Sequence, residues 1–283
     1  MRTHISSMAI AMTVLAAPAL AQTESAAQGT PPAPQAAVKP PEATPAKRAT
    51  ITVGADFTSA YMFRGILQAD TGAIVQPYVD IGVALGKGVS VNVGNWESHH
   101  SVLRGKFYES DYYASVTATA GKWKPGALFT SYTSPKDAFH TVQEIAGVLA
   151  YDDSARAVPF SPKFIVAQEL TDGQADGGHH KGTYFEAGAR PTIKLIKAKT
   201  PLNLAIPAKL GLCVHNYYEG VHGIDTFGYL DVGAIASIPF STARGTWELH
   251  GGVDFLTLGD NLKTLNAGDR VKPVVSLGFS YVY

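Results

Sequence analysis

The feature that most constrains this chain is an alternation of apolar with polar or small residues that recurs from residue 51 to the end. A period of two is that of a β-strand with one apolar and one polar face. No stretch has the pattern of a convincing amphipathic helix, so the sequence predicts an all-β fold. Twelve alternating segments lie near residues 51–63, 73–85, 88–96, 107–120, 125–133, 141–151, 160–170, 183–196, 202–215, 226–239, 246–257 and 270–283.

Two architectures fit such strands: a soluble sandwich or barrel with the apolar face inside, and a transmembrane barrel with the apolar face outside. The alternation places many charges on the inward face, where a dry core would make them prohibitive and a wet, salt-bridged lumen would tolerate them. We predict that the lumen is lined by Asp56, Arg64, Asp80, Glu109, Asp111, Glu144, Glu186, Arg190, Lys209, Asp231, Glu248 and Asp254, with Lys163, Glu169 and Lys272 also facing inward.

Three further patterns favour the membrane. Short turns near 86–87, 121–122, 197–200 and 241–245 alternate with longer polar links such as ELTDGQADGGHHKG and TLGDNLKTLNAGDR. The last strand, VVSLGFSYVY, has an apolar face that ends in the aromatic Tyr283. Aromatic residues also gather near segment ends, where interfacial girdles lie. The girdle candidates are Tyr61, Phe63, Trp96, Phe107, Tyr108, Trp123, Tyr217, Tyr218 and Trp247.

The sequence therefore predicts a transmembrane antiparallel up-and-down β-barrel of about 12 strands in the bacterial outer membrane. Its expected partners are outer-membrane lipid and lipopolysaccharide, and the barrel-assembly machinery through the strand that ends at Tyr283.

Four prolines complicate the strands, because proline cannot donate a ladder hydrogen bond. We expect Pro77 and Pro273 near the outer rim and Pro207 at a bend, whereas the pattern explains no role for Pro191.

The first 49 residues differ from the rest. Residues 1–21 have a basic start, a short apolar core and an A-x-A site, which predicts a secretory signal peptide. A transmembrane anchor would need about 20 apolar residues, and this run is shorter. Residues 22–49 are rich in Pro and Ala and predict a disordered linker before the barrel domain, 50–283. The single Cys213 has no internal disulfide partner and is predicted to be a packed small side chain.

Composition and motifs exclude several function classes. The 23 basic and 23 acidic residues cancel, so nothing points to nucleic acid. The sequence holds no G-x-S-x-G, phosphate-binding loop or cysteine–histidine cluster. His215 and His250 are expected to face inward, but no spacing singles out a serine as their nucleophile. We therefore predict no enzymatic activity and no cofactor.

The stretch DFTSAYMFRGILQAD resembles the first strand of the TorF-type porins of proteobacteria, which carries an S-x-Y-x-F-R-G segment. Ser59, Tyr61, Phe63, Arg64 and Gly65 match it. The resemblance covers residues 50–283 and implies a porin-like outer-membrane barrel. If the first strand rises from the periplasm, its alternation places Arg64 at the outer end on the same face as Asp56, where Arg64 either pairs with acids across the barrel or takes part in ion selection.

A twelve-stranded barrel is narrow, which predicts passive diffusion of small hydrophilic solutes or ions. Inward acids outnumber inward bases, which favours a weak cation preference. Two alternatives stay open: a plugged structural or adhesive barrel, and a barrel that binds a metal such as zinc through histidines in outward loops. The candidate metal ligands are His99, His100, His179 and His180.

Overall fold

The structure is a computed structural model that describes residues 48–102, 107–171, 178, 180–198, 200–220 and 223–283. The predicted signal peptide, and the predicted linker except its last two residues, lie outside this part of the chain, as does His179. The elements are β1 (Ala49–Thr58), β2 (Tyr61–Phe63), β3 (Ile66–Ala69), β4 (Ile74–Gly86), β5 (Val89–His100), β6 (Phe107–Ala118), β7 (Trp123–Thr133), β8 (Val142–Tyr151), β9 (Lys163–Glu169), β10 (Thr183–Ala189), β11 (Thr192–Ile196), β12 (Leu202–Ala205), β13 (Ala208–His215), β14 (Glu219–Gly220), β15 (Gly223–Ile224), β16 (Phe227–Ser241), β17 (Thr246–Leu258), α1 (Asp260–Leu265) and β18 (Val271–Val282).

The strands form a closed antiparallel barrel of twelve strands, which confirms the predicted fold class. β10 and β11 succeed each other as one barrel strand, and so do β12 and β13. The pairs β2–β3 and β14–β15 are small separate hairpins. β1 pairs with β4 on one side and with the C-terminal β18 on the other, so Asp56 lies opposite both Gln76 and Gly278.

The two faces of the wall have opposite character. In β1, Thr52, Asp56 and Thr58 are buried in the interior, whereas Phe57 is 49% exposed on the outside. Leu277 in β18 is 65% exposed. An apolar exterior around a polar interior is the reverse of a soluble barrel.

The connections divide the barrel into two ends. At the turn end, β4–β5, β6–β7, β8–β9, β11–β12 and β16–β17 are joined, and the described chain begins and finishes there. The tightest of these turns has positive φ at Gly86, Lys87 and Gly88. The predicted short turns all belong to this end. The loop end carries the other six connections, including 59–73, which contains β2 and β3, and 259–270, which contains α1. No helix in the described ranges is long and apolar enough to cross a membrane.

The prolines account for the interrupted strands. Pro191 separates β10 from β11, and Pro207 separates β12 from β13. The two breaks lie side by side, because the Ile206 N–H donates to the Pro191 carbonyl at 2.9 Å. The bend expected at Pro207 is therefore shared with Pro191, which the sequence left unexplained. Pro77 and Pro273 lie close to the loop end of β4 and β18.

The first predicted segment, 51–63, is too long. β1 ends at Thr58, whose hydroxyl donates to the Ala60 carbonyl at 2.7 Å, and the chain then turns into the barrel. Arg64 is consequently not at the end of a wall strand. Tyr61 and Phe63 keep the spacing of the apolar face after Phe57, with only Ser59 interrupting it, which is why the sequence did not reveal the bend.

Candidate functional site: the interior of the barrel

The hairpin β2–β3 folds into the lumen at the loop end. Tyr61 and Met62 are fully buried and Phe63 is 5% exposed. Arg64 and Gly65 form its two-residue turn between the paired Phe63 and Ile66, with φ of 47° and 83°. Positive φ at both central residues is the geometry that suits the twist of a two-residue hairpin. The lumen at this end is thus filled by a segment of the chain itself.

Arg64, at the hairpin tip, reaches the far wall. It donates two hydrogen bonds to Glu144 of β8, from Nη1 to Oε2 at 2.7 Å and from Nη2 to Oε1 at 2.8 Å. Nη1 also donates to the Tyr217 hydroxyl at 3.0 Å. The guanidinium carbon lies 4.1 Å from the ring centroid of Tyr184 in β10, and the Tyr132 hydroxyl donates to Glu144 at 3.4 Å. We call Glu144, Tyr132, Tyr184 and Tyr217 the Arg64 pocket.

The ion pair between Arg64 and Glu144 is strong, but one N–H donor of Arg64 makes no hydrogen bond within the described residues. The Arg64 and Glu144 side chains are 2% and 3% exposed, and a two-pronged arginine–carboxylate pair is among the strongest hydrogen-bonded contacts. Within the described residues, however, the buried Arg64 Nε–H has no acceptor. The left-handed backbone of Arg64 adds a cost on the order of 1 kcal/mol. The pairing role predicted for Arg64 matches its contacts, whereas the strand position predicted for it is wrong.

Other contacts hold the hairpin along its length. Tyr61 donates to Glu109 at 2.6 Å, and Tyr108 donates to Gln68 at 2.7 Å. At the tip, the Tyr218 hydroxyl donates to the Arg64 carbonyl at 3.0 Å, and Asn266 donates to the Gly65 carbonyl at 2.9 Å. The hairpin is therefore fastened to β6, to the connection before β14 and to the segment after α1.

Tyrosines on the inner wall lie flat against glycines of the neighbouring strand. Tyr78, Tyr113 and Tyr229 stand directly opposite Gly54, Gly94 and Gly211 in the strand register. A Cβ added at Gly94 would lie 2.2 Å from the Tyr113 ring, and the other two glycines are as closely covered. Since a flat ring projects little into the lumen, the glycines make room for the hairpin.

Charge pairs line the interior outside the hairpin contacts. His250 Nε2 lies 2.6 Å from Asp56 Oδ1, and its Nδ1 lies 3.8 Å from Glu248 Oε1. Lys209 lies 3.6 Å from Asp231 across neighbouring strands. Both ring nitrogens of His250 thus face carboxylates rather than a serine.

The predicted lining residues all lie on the inner side of the wall or, for Arg64, on the hairpin. Asp80 is partly buried and accepts a hydrogen bond from Asn92 at 2.8 Å. The remaining eleven are buried: Asp56, Arg64, Glu109, Asp111, Glu144, Glu186, Arg190, Lys209, Asp231, Glu248 and Asp254. Glu144 alone joins Arg64 in the pocket. That these residues line a conducting pore stays a prediction.

Several predicted girdle aromatics are in fact interior residues. Tyr61, Trp96, Tyr217 and Tyr218 are fully buried and Phe63 nearly so. Proximity to a segment end did not distinguish the lipid interface from an inward-folded loop. Trp123, by contrast, is 45% exposed at the turn end and packs on Tyr151, with ring centroids 4.8 Å apart.

Two of the candidate metal-ligand histidines differ from expectation in position, whereas His180 lies in a connection as expected. His99 and His100 belong to β5, which continues past Trp96, and not to a loop. His99 contacts Glu97 at 2.8 Å, whereas His100 is buried and stacked on Tyr108. His180 contacts Glu219 at 2.6 Å. His215 is exposed rather than inward. Over the ranges that the structure covers, no group of three or more His, Cys, Asp or Glu residues could hold a metal ion.

Cys213 is buried, and its sulfur accepts a hydrogen bond from the Tyr217 N–H at 3.2 Å. This agrees with the packed role predicted for it. The contact also helps to place Tyr217, which contributes its hydroxyl to the Arg64 pocket.

No family model matches the sequence, and no curated protein matches it. Among solved structures the barrel is similar to the NanC porin, at 9% identity and a TM-score of 0.48, over 82% of this chain and 98% of that one. It is similar to an outer membrane channel from Pseudomonas putida F1 at 10% identity and a TM-score of 0.44, over 86% and 100% of the two chains. It is also similar to LpxR from Salmonella typhimurium, at 8% identity and a TM-score of 0.42, over 82% of this chain and 99% of that one. Likeness at this level concerns architecture and not activity.

Proposed function

We propose that this chain is a porin-like channel of the bacterial outer membrane that passes small hydrophilic solutes or ions and rests in a closed state. The observation that carries the proposal is a closed barrel with an apolar exterior and a charged interior, whose loop end is filled by the hairpin β2–β3. Export by the signal peptide and membership of the TorF-type porins belong to the same proposal.

The exterior supports the membrane location. Val275, Leu277 and Phe279 of β18 form an exposed row, and such a row in water would invite aggregation. Trp247 packs on Tyr281 near the turn end, with ring centroids 4.8 Å apart, and Trp123 packs on Tyr151 at the same end. Amphipathic aromatic rings of this kind suit a membrane interface. The turn end then faces the periplasm, and the loop end faces outward.

The interior supports a channel, because a barrel that only needed to be stable would gain little from so many buried ionisable groups. Buried ion pairs are weak contributors to stability, since desolvation offsets their attraction. Buried charges inside a membrane protein are instead typical of pathways for ions and polar solutes. Conduction along this path requires the hairpin to leave the lumen. A weak cation preference remains part of the proposal, on the excess of inward acids.

The test is planar-bilayer conductance of the refolded barrel and of a variant in which residues 60–70 are replaced by a short Gly/Ser linker. We expect rare or small current steps from the wild type and frequent, larger steps from the variant. Salt-gradient reversal potentials of the variant then measure ion preference, and an anion-selective potential would end the cation proposal. Heat-modifiable migration in gels shows that each barrel has folded.

A second candidate, a plugged structural or adhesive barrel, has one observation in its favour. The hairpin and the wall share an apolar core inside the lumen that includes Met62, Ile74 and Leu256, each with exposure of 1% or less. Such a core stabilises the closed state. If the folded linker variant carries no current either, the channel proposal fails and the plugged barrel replaces it.

A further inference from the structure

We propose that the Arg64 pocket is a binding site for guanidinium-bearing solutes, and that Arg64 occupies it as an internal ligand which such a solute displaces. This inference rests on the proposed channel function and names the class of solute that the channel takes. The site would be uncovered, and the lumen opened, when a free guanidinium replaces the one carried by the hairpin.

The pocket belongs to the barrel and not to the hairpin. Glu144 is in β8, Tyr132 in β7 and Tyr184 in β10, whereas Tyr217 follows β13. The barrel wall runs β1, β4, β5, β6, β7, β8, so the hairpin crosses the lumen to reach Glu144, five strands around from its root. When the hairpin withdraws, Arg64 leaves, three of these side chains stay on wall strands and Tyr217 stays in the connection after β13.

The chemistry of the pocket selects a planar guanidinium. Both Glu144 oxygens accept from separate Arg64 nitrogens, at 2.7 and 2.8 Å, which is the fork that a carboxylate offers to guanidinium. The Tyr217 hydroxyl accepts a third bond at 3.0 Å, and the Tyr184 ring offers its face at 4.1 Å. A compact ammonium ion matches the pocket less well, because it offers the carboxylate no parallel pair of N–H donors and offers the ring no planar face.

The internal ligand fits less well than a free one could. The Nε–H of Arg64 is buried with no acceptor among the described residues, and its backbone has φ of 47°. A solute such as methylguanidinium has no backbone to strain, and its third nitrogen can face the lumen once the hairpin has withdrawn. Arg64 holds the site at rest because tethering gives it a high effective concentration. A solute at high concentration can compete with it, because the solute binds without the backbone strain that Arg64 carries.

The test measures binding of methylguanidinium to the full barrel by calorimetry in detergent, with methylammonium and the neutral urea as probes of matched size. We expect Arg64→Ala to bind methylguanidinium at least tenfold more tightly than the wild type does, and at least tenfold more tightly than it binds methylammonium. The double variant R64A/E144Q should lose this binding. Equal affinity for the two cations, or binding unaffected by E144Q, would overturn the inference.

A second measurement covers the case in which Arg64→Ala fails to fold. In the wild type, millimolar methylguanidinium on the loop side should raise the fraction of time spent in the open state at least threefold, and methylammonium at the same concentration should not. No difference between the two cations would overturn the inference. Calorimetric binding without any conductance would contradict the channel proposal and support the guanidinium site. Conductance without guanidinium preference would support the channel proposal and contradict the guanidinium site.

Discussion

At the residue scale, the glycines of the inner wall make a measurable contribution. We predict that Gly94→Ala lowers the free energy of unfolding by about 1–3 kcal/mol, because the new Cβ would collide with the Tyr113 ring 2.2 Å away. Gly147→Ala is the matched control in β8, since nothing lies within 4 Å of its Cβ position. Its effect should be neutral or slightly stabilising. Urea unfolding of the two refolded barrels compares them, and equal losses would contradict the packing explanation.

A second residue-scale prediction concerns acid. In the β8–β9 connection, hydrogen bonds from Ser154 and the Lys124 ammonium 3.0 Å away lower the pKa of Asp152 from 3.8 to about 2. A lowered pKa in the folded state gives stability that is present above pH 4 and lost as the pH falls towards 2. Asp152→Asn should cost about 1 kcal/mol or less at pH 7, because the site is partly exposed to solvent, and clearly less near pH 2, where the carboxylate is becoming protonated. Urea unfolding at both pH values tests this, and an equal loss at both would contradict it.

Sequence and structure agree at this scale for charges and disagree for aromatics. The inward positions of Glu109 and Asp231 follow from strand parity alone, which the sequence carries. The pairing of Tyr113 with Gly94, and of Arg64 with Glu144, depends on strand register and on a fold-back between distant residues. No local pattern encodes either contact.

At the element scale, the hairpin β2–β3 behaves as a fastened part of the lumen. We predict that Glu144→Gln weakens its docking by about 3–5 kcal/mol, because the Arg64 charge is left buried without its partner. Hydrogen exchange of the amides of β2 and β3 should speed up, and openings in bilayer recordings should become more frequent.

The control for this change is Glu97→Gln, which removes the half-exposed pair with His99 and should cost less than about 1 kcal/mol. If both variants leave hairpin exchange unchanged, Glu144 does not fasten it.

The twelve wall segments could be predicted because each has its own alternation. The inward hairpin could not, since Tyr61 and Phe63 keep the two-residue spacing of the apolar face after Phe57 with only Ser59 interrupting it, and α1 is too short to show a helical period.

At the scale of the whole molecule, the solvent around the barrel decides what a surface charge costs. We predict that Leu277→Arg, in the middle of β18, destabilises the barrel in lipid by about 2–4 kcal/mol, as expected for arginine at the bilayer midplane. Leu85→Arg, next to the turn at Gly86, should cost about 0–1 kcal/mol. The two leucines are 65% and 62% exposed, so burial does not distinguish them.

Unfolding from bilayers measures the stability of both variants, and equal costs would contradict the membrane placement.

The architecture itself could be predicted because it depends on one global inversion, polar inside and apolar outside, which every strand repeats. Depth along each strand could not be read from the sequence, since it depends on how the neighbouring strands are staggered.

The pairing of β1 with β18 has a consequence for how the molecule is made. The seam between Val53 and Tyr281 joins the two ends of the barrel sequence, so the wall cannot seal until its last strand has arrived. The bond from Asn266 to the Gly65 carbonyl likewise joins a late segment to an early one. Folding dominated by such distant contacts is slow, because chain closure must come before the contacts that reward it. The nascent barrel therefore stays an open, edge-exposed sheet until residues 271–282 join, and only then can both the seam and the hairpin tip lock.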